Sequence, residues 1–66
     1  MYRVNYIESN GTISGSQESS ARHVAQDWYD FYVNMAKESK DGRVTFSELH
    51  PVTGQRKKLI KHWPKD

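Results

Sequence analysis

Apolar and polar residues alternate at the start of the chain. Tyrosine or valine occupies each even position up to residue 6 within the stretch Tyr2–Ser9, and this period of two is typical of a half-buried β-strand. Asn10-Gly11 follows, a dipeptide that suits a two-residue hairpin turn. We therefore predict a β-hairpin whose short return strand covers Thr12–Ser16. The alternative is a surface turn that leads into a loop.

The period then changes to that of a helix. Ser19 or Ser20 is a suitable N-cap, and the pattern predicts a helix from Ala21 to about Ser39, ended by Gly42. Wound at 100° per residue, one broad stripe faces the core. Its predicted members are Ala21, Val24, Ala25, Trp28, Phe31, Tyr32 and Met35.

Two further strands follow the helix. Residues 43–50 alternate until Leu49 breaks the phase, which predicts a bulge or a strand end near Glu48. Pro51–Gly54 reads as a turn, and 55–63 as the last strand. The sequence does not decide which face of that strand points to the core, because Leu59 and Trp63 fall on one face by alternation and Ile60 falls on the other.

These elements predict an α+β fold with the order β-β-α-β-β. We expect one small domain over residues 1–66, in which a single helix packs on a small antiparallel sheet of three or four strands. The predicted core is Val4, Tyr6, Ala21, Val24, Ala25, Trp28, Phe31, Tyr32, Met35, Val44, Phe46 and Leu59.

Composition limits the chemistry. A chain of 66 residues without cysteine has no disulfide and no thiolate ligand for a metal. Met1–Ser9 lacks the apolar run of a signal peptide, and nothing approaches the roughly 18 apolar residues of a membrane span. We expect a cytoplasmic protein without a membrane partner. A core this small favours support from a bound partner or a second copy, so both monomer and homodimer stay open.

No catalytic or metal-binding constellation stands out. The three histidines, His23, His50 and His62, lack metal-ligand spacing, and the four glycines are scattered at turns. Asp27 and Asp30 have the spacing of a solvated pair on a helix. We expect no cofactor, no metal and no enzyme activity.

Charge is concentrated at one end of the chain. Residues 55–66 carry five Lys or Arg and one Asp, whereas residues 1–54 carry five bases and seven acids. This cationic end indicates an anionic partner, although lysines also protect exposed edge strands from aggregation. The aromatic residues exceed what so thin a core needs, and an exposed ring is a common interface anchor. The predicted partner-binding residues are Arg56, Lys57, Lys58, Lys61 and Trp63, with Tyr29 as a secondary anchor.

The layout as a whole resembles small bacteriophage-encoded accessory proteins. A strand opens the chain (MYRVNYIES), a serine-rich stretch precedes one helix, and a hairpin closes it (GRVTFSELHPVTGQRKKLIKHW). Several members of that group, including anti-CRISPR proteins and inhibitors of host enzymes, block host complexes by binding them. The resemblance implies a non-enzymatic inhibitor in the host cytoplasm that occupies a larger protein or ribonucleoprotein complex. It carries over no functional residue, because no specific motif matches.

The alternative function is nucleic-acid binding by the last hairpin. Several Lys and Arg residues would contact phosphates there, and Trp63 or Tyr2 would stack on a base. The formal net charge of only +2 argues against this alternative.

Overall fold

The computed structural model describes residues 1–64, which form five elements. The elements are β1 (Tyr2–Ile7), β2 (Ile13–Ser19), α1 (Arg22–Ser39), β3 (Arg43–Leu49) and β4 (Arg56–Trp63). All strand pairs are antiparallel, in the order β2-β1-β3-β4. The predicted α+β fold is confirmed, and the sheet has four strands. Lys65 and Asp66, which were counted in the charge of the cationic end, lie outside the described residues.

The first hairpin closes through a longer loop than Asn-Gly predicts. The Glu8 amide donates to the Thr12 carbonyl and the Gly11 amide donates to the Glu8 carbonyl, both at 2.8 Å. Gly11 has a φ of 89°, whereas Asn10 does not take a positive φ. The connection therefore matches a three-residue loop with glycine in the left-handed position. The return strand begins at Ile13 and continues to Ser19, beyond its predicted end.

The two ends of α1 differ from prediction in their capping groups. Ala21 is the N-cap residue and no side chain caps the helix; the Ser19 hydroxyl instead accepts a hydrogen bond from the Ala21 amide at 3.1 Å. At the other end Lys40 adopts a left-handed φ of 56°, and its amide donates to the Ala36 carbonyl. Gly42, the predicted terminator, lies two residues later and begins the turn into β3 with a φ of 85°.

The helix packs on the sheet through a different face from the one predicted. Its buried residues are Ala25, Tyr29, Tyr32, Val33 and Ala36, of which only Ala25 and Tyr32 were expected. Three residues assigned to the core are instead exposed: Val24 by 37%, Phe31 by 52% and Met35 by 41%. Trp28 is half-buried against the core, and Ala21 is half-buried. The alanines near each end of the buried face allow the helix to approach the sheet closely, which bulkier side chains would prevent.

The sheet contributes the rest of the core. Val4, Val44 and Phe46 are fully buried, and the Tyr6 ring lies edge-on to Tyr32. Gly15 permits this packing, since a Cβ there would lie 2.9 Å from the Tyr32 ring. These sheet positions were predicted correctly. Leu49, which was not predicted, is also buried.

Two irregularities in the pairing of β3 with β4 decide which way the last strand faces. The register shifts between Phe46 and Ser47 and again between Glu48 and Leu49, so a bulge near Glu48 is confirmed. Ile60 is the extra residue at the first shift and is half-buried against the core. Leu59 pairs with Ser47 and is 40% exposed, so its assignment to the core was wrong. Within residues 1–64, no helix combines the length and apolar character needed to cross a membrane.

Candidate partner-binding surface

Strand β4 is an edge of the sheet that the helix leaves largely uncovered. It pairs with β3 alone, and the helix makes its main contacts with β1, β2 and β3. One face of β4 and its outer edge are therefore open to a partner. All four predicted cations of the site lie on this strand.

The cations at 56–58 are exposed and unpaired. Within the described part of the chain, Arg56, Lys57 and Lys58 make no ion pair or side-chain hydrogen bond. The ion pair that the structure shows joins Arg3 to Glu18 on the opposite side of the sheet, at 2.8 Å. Residues 56–64 contain four Lys or Arg and no Asp or Glu. The positive field of this strand is consequently not neutralised from within it.

The bulges distribute these charges differently from simple alternation. Cross-strand neighbours point to the same face of a sheet, and Lys58 pairs with Glu48 while Lys61 pairs with Phe46. Both lysines therefore lie on the face that carries the helix, whereas strict alternation would put positions 58 and 61 on opposite faces. Arg56 lies on the other face, beside Arg43 and Leu59 along a shallow groove of about 380 Å³. The charges thus form an arc around the edge of the strand.

Lys61 is bound into the protein, unlike the other three cations. Its ammonium donates a hydrogen bond of 2.8 Å to the Gln26 side chain, which in turn donates to Asp30 at 3.0 Å. The same ammonium lies 5.9 Å from the centre of the Tyr29 ring, within the range of a cation–π contact. Lys61 therefore links β4 to the helix, and its positive charge is partly offset by Asp30.

Tyr29, the predicted secondary anchor, lies in the core. Its side chain is 8% exposed, and its ring packs at 5.9 Å against Phe46. Burial raises the pKa of the Tyr29 hydroxyl above its usual value, and the negative charge of Asp30 raises it further. A partner could reach only the rim of this ring, so Tyr29 is a poor anchor.

A groove runs between the helix and β4, beside the hydrogen bond that joins Lys61 to Gln26. It has a volume of about 430 Å³ and is lined by Gln26, Tyr29, Asp30, Ile60, Lys61 and His62. Its walls carry charges of both signs, and Ile60 adds an apolar floor. Such a groove can receive a polar side chain of a docking protein. Trp63, the remaining predicted residue, pairs with Val44 and is half-buried against the core near this region.

The Tyr, Phe and Trp rings of the sheet lie on one face. Tyr2, Tyr6, Phe46 and Trp63 occupy the face that carries the helix, as their cross-strand pairing shows. The opposite face carries Thr45 and Leu59 together with the imidazole ring of His62, and no Tyr, Phe or Trp among residues 1–64 of the sheet lies there. Stacking of bases on aromatic side chains is the usual way in which a sheet binds single strands, and on this face His62 is the ring available for it.

The sequence reasoning missed one surface altogether. Val24, Phe31 and Met35 are exposed on the helix beside the half-buried Trp28. Their spacing of four, three and four residues is the signal that could have identified them as a second stripe. Within residues 1–64, no cluster of three or more potential metal ligands occurs.

Comparisons of the chain with protein-family models, with curated proteins and with solved structures find no match.

Proposed function

We propose that this protein is a non-enzymatic binding module that docks through β4 on an acidic surface of a larger protein or ribonucleoprotein complex. The observation that carries this proposal is the run Arg56-Lys57-Lys58, three exposed cations that form no ion pair in the described part of the chain, although Lys58 lies opposite Glu48 on β3. The run lies on an open strand edge, where backbone groups and side chains are accessible together.

The position of the charges suits a protein partner. Arg56 lines a shallow groove together with Arg43, whereas Lys58 and Lys61 lie on the other face of the strand, and the groove beside the helix also contains Asp30. A phosphate backbone would be repelled by that carboxylate, whereas a folded protein surface can present both signs of charge. Complementary charge would mainly accelerate association and select the partner.

An inhibitory role belongs to the same proposal. A domain of 66 residues acts on a larger complex by covering a surface that the complex needs. The bacteriophage-type inhibitor suggested by the layout of the chain is one form of this action.

The test compares two triple variants that each remove three positive charges. R56A/K57A/K58A changes β4, and R22A/K37A/K40N is the matched control on the helix, with asparagine at the left-handed position of Lys40. Affinity capture from a lysate of the cells that naturally produce the chain, followed by mass spectrometry, should recover a stoichiometric protein partner with the wild type and the control. The β4 variant should lose it.

Nucleic-acid binding is the competing outcome. Fluorescence polarisation with generic single- and double-stranded DNA and RNA at ~50 mM salt is the condition most favourable to phosphate contacts. We expect no micromolar binding there. Binding that weakens steeply with salt and disappears in the β4 variant would replace our proposal with the nucleic-acid function. Equal capture of a partner by both triple variants would refute the assignment to β4.

A further inference from the structure

The two edges of the sheet differ in how they are protected. Exposed edge strands usually carry lysine, arginine or proline to prevent pairing with other strands. β4 has four such cations, but β2 (ISGSQES) has no Lys, Arg or Pro. Its only charge, Glu18, is neutralised by Arg3. The pairing of β1 with β2 skips Ser14, and after this irregularity the outer edge of β2 from Gly15 to Ser19 is a row of backbone groups without a protecting charge.

The exposed apolar stripe of the helix lies on the same side as this edge. Gln26 reaches β4 through Lys61, whereas Tyr32 lies on Gly15 of β2. Trp28 stacks on Tyr32 with ring centres 5.8 Å apart, and Phe31 meets Trp28 at 5.7 Å. The stripe of Val24, Trp28, Phe31 and Met35 thus continues from Tyr32 toward the flank of the helix above β2.

Together these features form a two-layered wall. The lower layer is the regular part of the strand edge from Gly15 to Ser19, about 17 Å long. The upper layer is the apolar stripe, which runs about 16 Å along the helix from Val24 to Met35. Contiguous apolar surface of this kind on a small domain indicates an interaction site.

We propose that a second copy of this chain covers the wall, with β2 pairing antiparallel to β2 of the second copy. A two-fold axis perpendicular to the sheet would join the two sheets into one of eight strands. The same axis places both helices on one face, antiparallel and side by side. Strand edge then meets strand edge and apolar stripe meets apolar stripe. A single added peptide strand would leave the upper layer uncovered.

The charges along the stripe fit this arrangement. In an antiparallel helix pair centred between Trp28 and Phe31, Val24 lies opposite Met35 of the second copy. Asp27, at the rim, then lies near Asn34 of the second copy. Parallel helices would instead place Asp27 against Asp27, and like charges in that position repel.

This self-association is independent of the function proposed for β4, because it uses the opposite edge of the sheet. Sedimentation velocity over roughly micromolar to millimolar protein should show the mass rising from 7.7 kDa toward twice that value. Phe31→Lys should weaken the dimer at least tenfold. Val52→Lys, a matched change of an apolar residue to lysine in the exposed turn between β3 and β4, away from β2, should leave the dimer intact; circular dichroism verifies that both variants fold.

Engineered cysteines test the orientation, because the chain has no thiol of its own. A mixture of Val24→Cys and Met35→Cys proteins should oxidise chiefly to the mixed disulfide dimer. Faster cross-linking within either single variant would contradict the antiparallel pairing. A monomer mass at every concentration, or a dimer insensitive to Phe31→Lys, would overturn the proposal.

Discussion

Replacing Gly15 with alanine is a direct test of how the helix sits on β2. An added Cβ at this position lies 2.9 Å from both Cε1 and the hydroxyl oxygen of Tyr32. Carbon atoms in ordinary contact are about 3.5–4.0 Å apart, so the ring has to move. Because Tyr32 is held between Tyr6 and Trp28, it cannot move freely.

The expected free-energy change combines two opposing effects. Forcing a methyl group into a packed site costs about 1–3 kcal/mol. Alanine is also more favourable than glycine inside a strand by about 0.5–1 kcal/mol. Gly15→Ala should therefore destabilise the wild type by about 0.5–2 kcal/mol. In a Tyr32→Leu background, where the ring is gone, the same change should be neutral or stabilising by up to about 1 kcal/mol.

Urea unfolding of the four proteins, followed by circular dichroism, measures the coupling free energy. We expect the two substitutions to depart from additivity by about 1–3 kcal/mol. A chain of this length has about 3–10 kcal/mol of stability in total, so the effect lies well within reach. Ser14→Ala, at an exposed neighbouring position, is the control and should change little. Additivity within about 0.5 kcal/mol, or a wild type stabilised by Gly15→Ala, would refute the packing argument.

Three further predictions concern single features of the fold. Replacing the cations at 56–58 together by alanine should change the free energy of unfolding by less than about 1 kcal/mol, as expected of exposed side chains; a larger loss in thermal unfolding would mean that the run is structural. Gly42→Ala should lower the free energy of unfolding, measured in urea, by about 2–4 kcal/mol. Alanine is strained at the φ of 85°, and its Cβ would lie only 2.8 Å from a backbone carbonyl oxygen. Gly54→Ala, with a φ of 73° and open space around it, should cost only about 1 kcal/mol, and equal costs would contradict the steric argument. Burial and the charge of Asp30 raise the pKa of Tyr29 in the folded protein above 10.0. The stability that the protonated hydroxyl contributes is therefore fully present below pH 10.0. It is lost as the pH rises through the higher pKa of the folded state. Tyr29→Phe should remove that loss, and an unchanged decline in the urea-unfolding free energy as the pH rises above 10.0 would show that another group causes it.

The elements of this fold follow from local patterns, but the face of the helix does not. Alternation and the 3.6-residue period locate all four strands and the helix. The helix, however, carries two apolar stripes on neighbouring sides, one with Ala25 and Ala36, the other with Phe31 and Met35. Hydrophobicity alone favours the bulkier stripe. The sheet accepts the one with small residues, since the distance between the layers depends on side-chain volume.

The orientation of the last strand was likewise beyond local reasoning. In a regular strand, alternation gives the face of the sheet on which every side chain lies once the face of one side chain is known. A single extra residue reverses the faces of all side chains beyond it. Ile60 is such a residue, and its position depends on how β4 pairs with β3. Lys58 and Lys61 consequently share a face, and Leu59 leaves the core. The cationic run itself could be read from composition, whereas the engagement of Lys61 with Gln26 required the fold.

The lysine-rich edge also limits how large any assembly of this chain can become. A sheet with two unprotected edges can add copies at both ends without limit, which is the geometry of a fibril. Here the β4 edge carries four positive charges, so two such edges repel each other. The proposed pairing at β2 would leave β4 at both ends of the joined sheet. Growth through the sheet would therefore stop after one addition, and the charges proposed to attract a partner would also keep the particle finite.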